Sequence, residues 1–142
     1  MEQLLVTPAP LNTVLWRVVA MSGAHYHEGF YSLLDAKPVV QFDRFDRGQA
    51  LASELQGLDS VQRIAAFSHG FYKLEQVGPQ LFISDLRMGQ EPAYSFRFAV
   101  AERHSTLHML ERPLQQGQRV DLARGLPWLW RRMGGEPLPP PR

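Results

Sequence analysis

The sequence predicts an α+β fold: one antiparallel sheet of about five strands, built from two hairpins and a third long strand, with two or three short helices packed on it. Three features lead there. Two pairs of apolar runs, residues 13–21 with 26–35 and the two arms of 71–88, are each joined by a glycine-containing turn. Two stretches with apolar residues at helical spacing lie between those pairs. A run over 93–101 alternates cleanly, with Tyr94, Phe96, Phe98 and Val100 on one side and Ser95 and Arg97 on the other.

In chain order, residues 1–10 read as a lead-in linker, stiffened by Pro8 and Pro10. Residues 13–21 are apolar on both alternating faces, as a covered central strand is. Ser22-Gly23-Ala24 turns the chain into 26–35, with Tyr26, Glu28 and Phe30 on one face and His27, Tyr31 and Leu33 on the other. Residues 36–45 read as a loop. Asp46 and Gln49 form a candidate capping box for a short helix that Gly57 would close. Leu58, Val61, Ile64 and Ala65 mark a second helix, ended by Gly70. The segments Ala66 to Tyr72 and Ile83 to Gly89, joined through Gly78-Pro79, form the central hairpin around which the rest packs. Residues 104–119 are polar and irregular. A closing helix over 126–133 starts with Pro127 in its first turn and stops at Gly134-Gly135. The expected organisation is a single domain over 11–134, followed by a Pro-rich disordered tail over 135–142.

Composition narrows the function classes. Thirteen Arg and two Lys are scattered along the chain and the net charge is only +1, which argues against a nucleic-acid partner. The aromatic set Trp16, Tyr26, Tyr31, Phe71, Tyr72, Phe96 and Phe98 could stack bases, but no RNP signature accompanies it and core packing accounts for it better. There is no Cys, hence no disulfide and no thiol chemistry. The longest apolar stretch is interrupted by Arg17 and falls short of the ~20 residues of a spanning helix. No signal peptide is present, so the chain reads as soluble.

The residues that could carry chemistry are few. His25 and His27 share a strand face and could offer two ligands to a zinc ion, with His69 or Asp85 as a third. His104 and His108 stand four apart, the spacing that aligns ligands on a helix, but Ser105 and Thr106 disfavour a helix there. Scattered over several segments, the five histidines are expected not to form one metal site. Ser68 and His69 are adjacent, and adjacent side chains seldom meet as nucleophile and base; closing a helix suits His69 better. Asp85 and Arg87 lie on one strand face. They form either a polar network at the strand's end, with Arg97 and Arg63 as other possible partners of Asp85, or a recognition groove with Trp16 and His69. Trp128, Trp130, Arg131 and Arg132 form a patch suited to a membrane surface or a partner. Two Trp flanking one Leu cannot both face the core of a short helix.

Four pieces carry a resemblance: PAPLNTVLWR over 8–17, HEGFYSLLD over 27–35, FSHGFY over 67–72 and DLRMG over 85–89. Together they resemble the soluble C-terminal region of bacterial membrane-bound metal-dependent hydrolases of the YdjM-like family, over most of the chain. None of the four has a chemical mechanism of its own. The resemblance implies a preceding multi-helix membrane part, where the family's metal-binding His and Asp residues, and any divalent metal, would lie. No catalytic residue therefore carries over to this chain. The role it implies is that of an interaction or regulatory domain on the cytoplasmic face of a membrane, with its own N-terminal membrane part, the bilayer surface or another protein as partner. The alternatives are a stand-alone metal-dependent hydrolase or a small-ligand module using His27, His69, Asp85 and Arg87.

Overall fold

The computed structural model describes residues 2–142. The chain is α+β and its sheets are antiparallel. Its strands are β1 (Gln3–Pro8), β2 (Leu15–Ser22), β3 (His25–Ser32), β4 (Phe42–Asp46), β5 (Tyr72–Val77), β6 (Gln80–Asp85), β7 (Gly89–Gln90), β8 (Ala93–Tyr94), β9 (Arg97–Arg103) and β10 (Leu107–Gln115). Its helices are α1 (Gln49–Leu55), α2 (Asp59–Phe67) and α3 (Leu122–Met133). These elements fall into two compact units, one comprising the chain up to Phe45 with Val120–Arg142, the other Asp46–Arg119. The expected domain over 11–134 spans both.

The strands are divided between two four-stranded sheets, β1-β2-β3-β4 and β10-β9-β6-β5, with β7-β8 a small ribbon. Each expected hairpin belongs to its own sheet: β2-β3 is the centre of the first, while β5-β6 forms one side of the second, with β5 at its edge. Residues 3–8, expected as linker, form β1, paired along β2 from Gln3↔Met21 to Pro8↔Trp16. Pro8 is tolerated at that position because β1 is an edge strand. Part of the expected 36–45 loop is β4, and most of the irregular 104–119 segment is β10. Both are largely exposed on both faces, so neither shows the alternation that marks a half-buried strand.

In the first unit, β2 is covered as expected, with Leu15, Val19 and Met21 fully buried on one face. That face also holds Arg17 and Glu28, bridged at 2.7 Å. The α3 helix begins at Leu122, four residues before the expected start, because Asp121 caps it by accepting the Ala123 N–H at 3.0 Å. Pro127 therefore lies inside the helix, on its exposed side. Trp128 is 7% exposed and meets Phe30 edge-on at 4.9 Å, whereas Trp130 is 77% exposed. Ala9, Leu15, Phe30 and Trp128 form the core here, backed by Leu129, Met133 and Leu138. Arg132 is buried too, binding both Asp35 carboxylate oxygens and the Phe30 carbonyl. Residues 135–142, expected as a disordered tail, carry specific contacts. Leu138 O accepts from Trp128 Nε1 at 3.2 Å, and Arg142 binds Glu28 and Asp43.

In the second unit, α1 and α2 cover one face of the sheet, around Leu55, Leu58, Val61, Leu74, Leu81 and Ile83. The capping box at Asp46 and Gln49 does not form. Gly48 caps α1 with φ +76°, and Asp46 accepts from the Gly48 N–H instead. No other residue fits at Gly48, since a Cβ there would lie 1.9 Å from Leu74 O. Gly57 has no left-handed φ; after α2, His69 at φ +54° and Gly70 at φ +87° make the left-handed exit. The expected long strand over 93–101 is split into β8 and β9. Arg97, expected outside, is buried over the Phe82 ring at 3.6 Å, because this face carries its own polar layer. In that layer Lys73 binds Glu91 at 2.9 Å, and Arg97 binds Glu75 at 3.2 Å.

The Asp35–Arg132 pair makes the first unit sensitive to acid. The Arg132 hydrogen bonds, helped by the Ser32 N–H and opposed by burial, hold the Asp35 carboxyl below the usual carboxylate range. A lowered folded-state value gives stability that is complete above the unfolded value, about 3.9, and lost as pH falls through the folded value. Asp35→Asn is therefore expected to melt well below the natural protein at pH 7, with the gap narrowing steadily below about pH 4. A gap of the same size at pH 7 and pH 3 would show that ionised Asp35 does not act through Arg132.

Candidate functional site

Of the residues singled out in the sequence, Asp85 and Arg87 are brought together. Strand β6 ends at Asp85, whose N–H donates to Phe96 O at 2.9 Å, while the Leu86 N–H donates to Phe71 O at 2.8 Å. These bonds fix the strand's end and aim the Asp85 carboxylate to the helix-covered face, in line with Leu81 and Ile83. Arg87 curls back onto it. Its N–H and Nε reach Oδ1 at 2.9 and 3.0 Å, and Nη2 reaches Oδ2 at 2.8 Å. The carboxylate is fully buried and the guanidinium partly exposed. The hydrogen bonds to Asp85 raise the Arg87 pKa against the opposing effect of burial. Arg87 also lies over the Phe67 ring at 5.0 Å. The other partners considered for Asp85 go elsewhere, Arg97 to Glu75 and Arg63 to Asp59.

A cleft of about 390 Å³ opens beside this pair. Its walls are Ile64 and Phe67 of α2, Phe96 and Phe98, Pro113 of β10 and Asp85, with Ser60 and Arg63 also lining it. The volume is in the range of small-molecule sites. With its carboxylate saturated by Arg87, Asp85 is poorly placed to act as a base. The arrangement suits holding an apolar body.

The remaining candidates do not gather around it. His69 is exposed in the turn after α2, and Ser68 is buried with its hydroxyl donating to Ala65 O at 3.0 Å, so the two form no nucleophile–base pair. Trp16 belongs to the first unit, where its Nε1 donates to Thr13 O at 3.0 Å. His25 and His27 share a face of β3 as expected, but Arg44 Nη2 lies 3.0 Å from His25 Nε2 and His27 meets Phe42 edge-on. His104 and His108 flank the β9–β10 turn with ring centres 6.0 Å apart, brought close by a hairpin rather than a helix. Among the described residues no group of three or more His, Asp or Glu is placed to hold a metal ion. In the Trp-Arg patch only Trp130 and Arg131 face outward; Trp128 and Arg132 are turned to the sheet.

Sequence reasoning missed two features. One is the row Lys73, Ser84 and Arg97 across β5, β6 and β9, in which the fully buried Ser84 Oγ has no hydrogen-bond partner. Its signal is one polar residue on each strand, which by itself reads as solvent-facing. The other is an exposed apolar row on α3, Leu122, Leu126 and Trp130, hidden when the helix is started at Leu126.

Asp85→Ala leaves Arg87 beside a buried, apolar wall and removes the support of the β6 end. It is expected to lower stability by about 3 kcal/mol, while Glu102→Ala, at a half-exposed position whose one side-chain contact is the exposed His104, costs a few tenths. Denaturant midpoints measure both, and equal midpoints would show that Asp85 is not structural. Compared with family models, with curated proteins and with solved structures, the chain gives no match.

Proposed function

We propose that this chain is an interaction domain of a membrane-bound metal-dependent hydrolase of the YdjM-like kind, with no catalytic metal site of its own. In this reading it stands outside the bilayer on the cytoplasmic face and works against its own membrane part or the membrane surface. The divalent metal belongs to that other part. The observation that carries the reading is the second apolar face of α3. Trp128 and Leu129 already serve the core, yet Leu122, Leu126 and Trp130 repeat every four residues on the exposed side. A helix of a self-sufficient domain needs one apolar stripe; a second, exposed one marks a contact surface. The helix contains no acidic residue, and Arg124 and Arg131 are exposed on it, a pattern favoured at bilayer interfaces.

None of the helices among the described residues is long and apolar enough to cross a membrane. On this proposal the spanning helices belong to the separate membrane part. Reading the natural gene in frame and fractionating its tagged product tests the idea. Several apolar segments upstream, with the product resisting alkaline extraction from membranes, is the expected result. A reading frame that starts at Met1, with its product in the supernatant, would end the proposal.

The cleft beside Asp85 favours a second reading, a small-ligand module for an aromatic or branched apolar body. Indole is a suitable probe, flat and largely apolar. Backbone NMR during an indole titration should show shifts concentrated at Ile64, Phe67, Asp85 and Phe98. Absent or scattered shifts would dismiss the cleft as a binding site.

A further inference from the structure

We infer that one end of the first unit is an insertion tip for an anionic lipid bilayer, formed by Leu11, Leu33, Leu34 and Trp130. The proposal deepens the reading above and rests on it only in setting this unit against a membrane.

The four side chains come from three segments that the fold gathers at one end of the sheet. Strands β1 and β2 meet there, through Pro8↔Trp16, and β2 and β3 through Leu15↔Ser32. The loop after β3 is tied to the loop before β2 by the Leu33 N–H, which donates to Val14 O at 2.9 Å. The last turn of α3 arrives at the same place: Ser32 Oγ donates to Met133 O at 2.6 Å, and Gly135 lies against Leu34 O. Trp130 stands one turn before that contact.

All four side chains face outward, with Leu11 94%, Leu33 60%, Leu34 63% and Trp130 77% exposed. Leu11 is the most telling. Its φ is +65°, a region that favours Gly or Asn and is uncommon for Leu. The loop's shape does not come from its side chain. Asn12 braces it, with Oδ1 accepting from the Val14 and Leu15 N–H groups and Nδ2 donating to Pro10 O. An apolar side chain thus sits at a strained, braced loop tip where it contributes nothing to the core, and strain held by its surroundings is a pointer to function. Leu tips beside an exposed Trp are the composition of an interfacial anchor.

Charge selects the kind of surface. The acids of this end are already engaged, Asp35 by Arg132 and Glu136 by Arg131. Lys37, two residues beyond Asp35, has no ion-pair partner among the described residues. The uncompensated charge is cationic and complements an anionic leaflet.

The test uses the full chain with vesicles of phosphatidylcholine, alone or mixed with phosphatidylglycerol, read by co-sedimentation and tryptophan emission. Binding is expected on the mixed vesicles and weakly on the pure ones. Leu11→Asn suits the left-handed φ, so its melting temperature should be unchanged or higher while its partitioning falls about tenfold. Trp130→Ser should add a comparable loss, and Val77→Ser, an exposed apolar position in the second unit, should change nothing. No binding to either vesicle, or equal losses for Val77→Ser and Leu11→Asn, would overturn the site; equal binding to both vesicles would overturn its charge preference. A dimer in sedimentation equilibrium that Leu11→Asn dissolves would assign the surface to a second copy and overturn the lipid assignment. Because vesicle binding needs no upstream segment, failure here leaves the fractionation result standing, and failure there leaves this one.

Discussion

Glu28 is a carboxylate with no exposed surface in the middle of a sheet, and the first unit is arranged around keeping it paired. Arg17, the cation beside it on β2, is itself buried. The second cation, Arg142, comes from the far end of the described chain, binds Asp43 as well and lies over the Phe45 ring at 4.9 Å. An unpaired buried charge costs several kcal/mol, so the last residues are held against the sheet although their composition reads as disorder. The same segment supplies Leu138, whose carbonyl satisfies the Trp128 indole N–H. One buried carboxylate therefore connects β2, β3, β4 and the segment after α3.

The second unit meets the same constraint on both faces of its sheet. On the helix side the Asp85–Arg87 pair closes the β6 end locally, two residues apart. On the other side Lys73, Glu75, Glu91 and Arg97 form a layer in which each charge has an opposite partner. Paired in this way, the buried groups serve structure. Asp85 is saturated, Ser68 is bonded to the helix it ends, and among the described residues the histidines join no group of three that could hold a metal. Shape and apolar surface remain available: a cleft in one unit, and in the other an exposed helix row with a loop tip.

Much of the architecture can be read from the residues. The alternation along residues 13–21 and 26–35 marks β2 and β3 and sorts their faces correctly, because both faces of β2 and one face of β3 are filled by their own sequence-local pattern. The central hairpin and α2 are legible for the same reason, since apolar spacing and the Gly78-Pro79 turn act over a few residues. The Asp85–Arg87 contact is expected from the residues but arises differently: β6 ends at Asp85, and the turn over Leu86 and Arg87, not a shared strand face, brings the guanidinium onto the carboxylate.

Only the tertiary structure decided what depends on distant partners. Strands β1, β4 and β10 gain their hydrogen bonds from a neighbour strand and bury little of their own, so no periodicity announces them. The division into two sheets comes from those edges. The residues themselves required that Trp128 and Trp130 diverge; Phe30 and Leu138 determined that Trp128 goes in, and so left Trp130 facing out. Arg97 looks solvent-facing until the polar layer covers it. The left-handed backbone of Leu11 is imposed by Asn12 and by the pairing of the flanking strands. A sequence determines its local periodicities and turns by itself, because those energies act between near neighbours. Burial of charge and exposure of apolar tips depend on which distant segment covers which face.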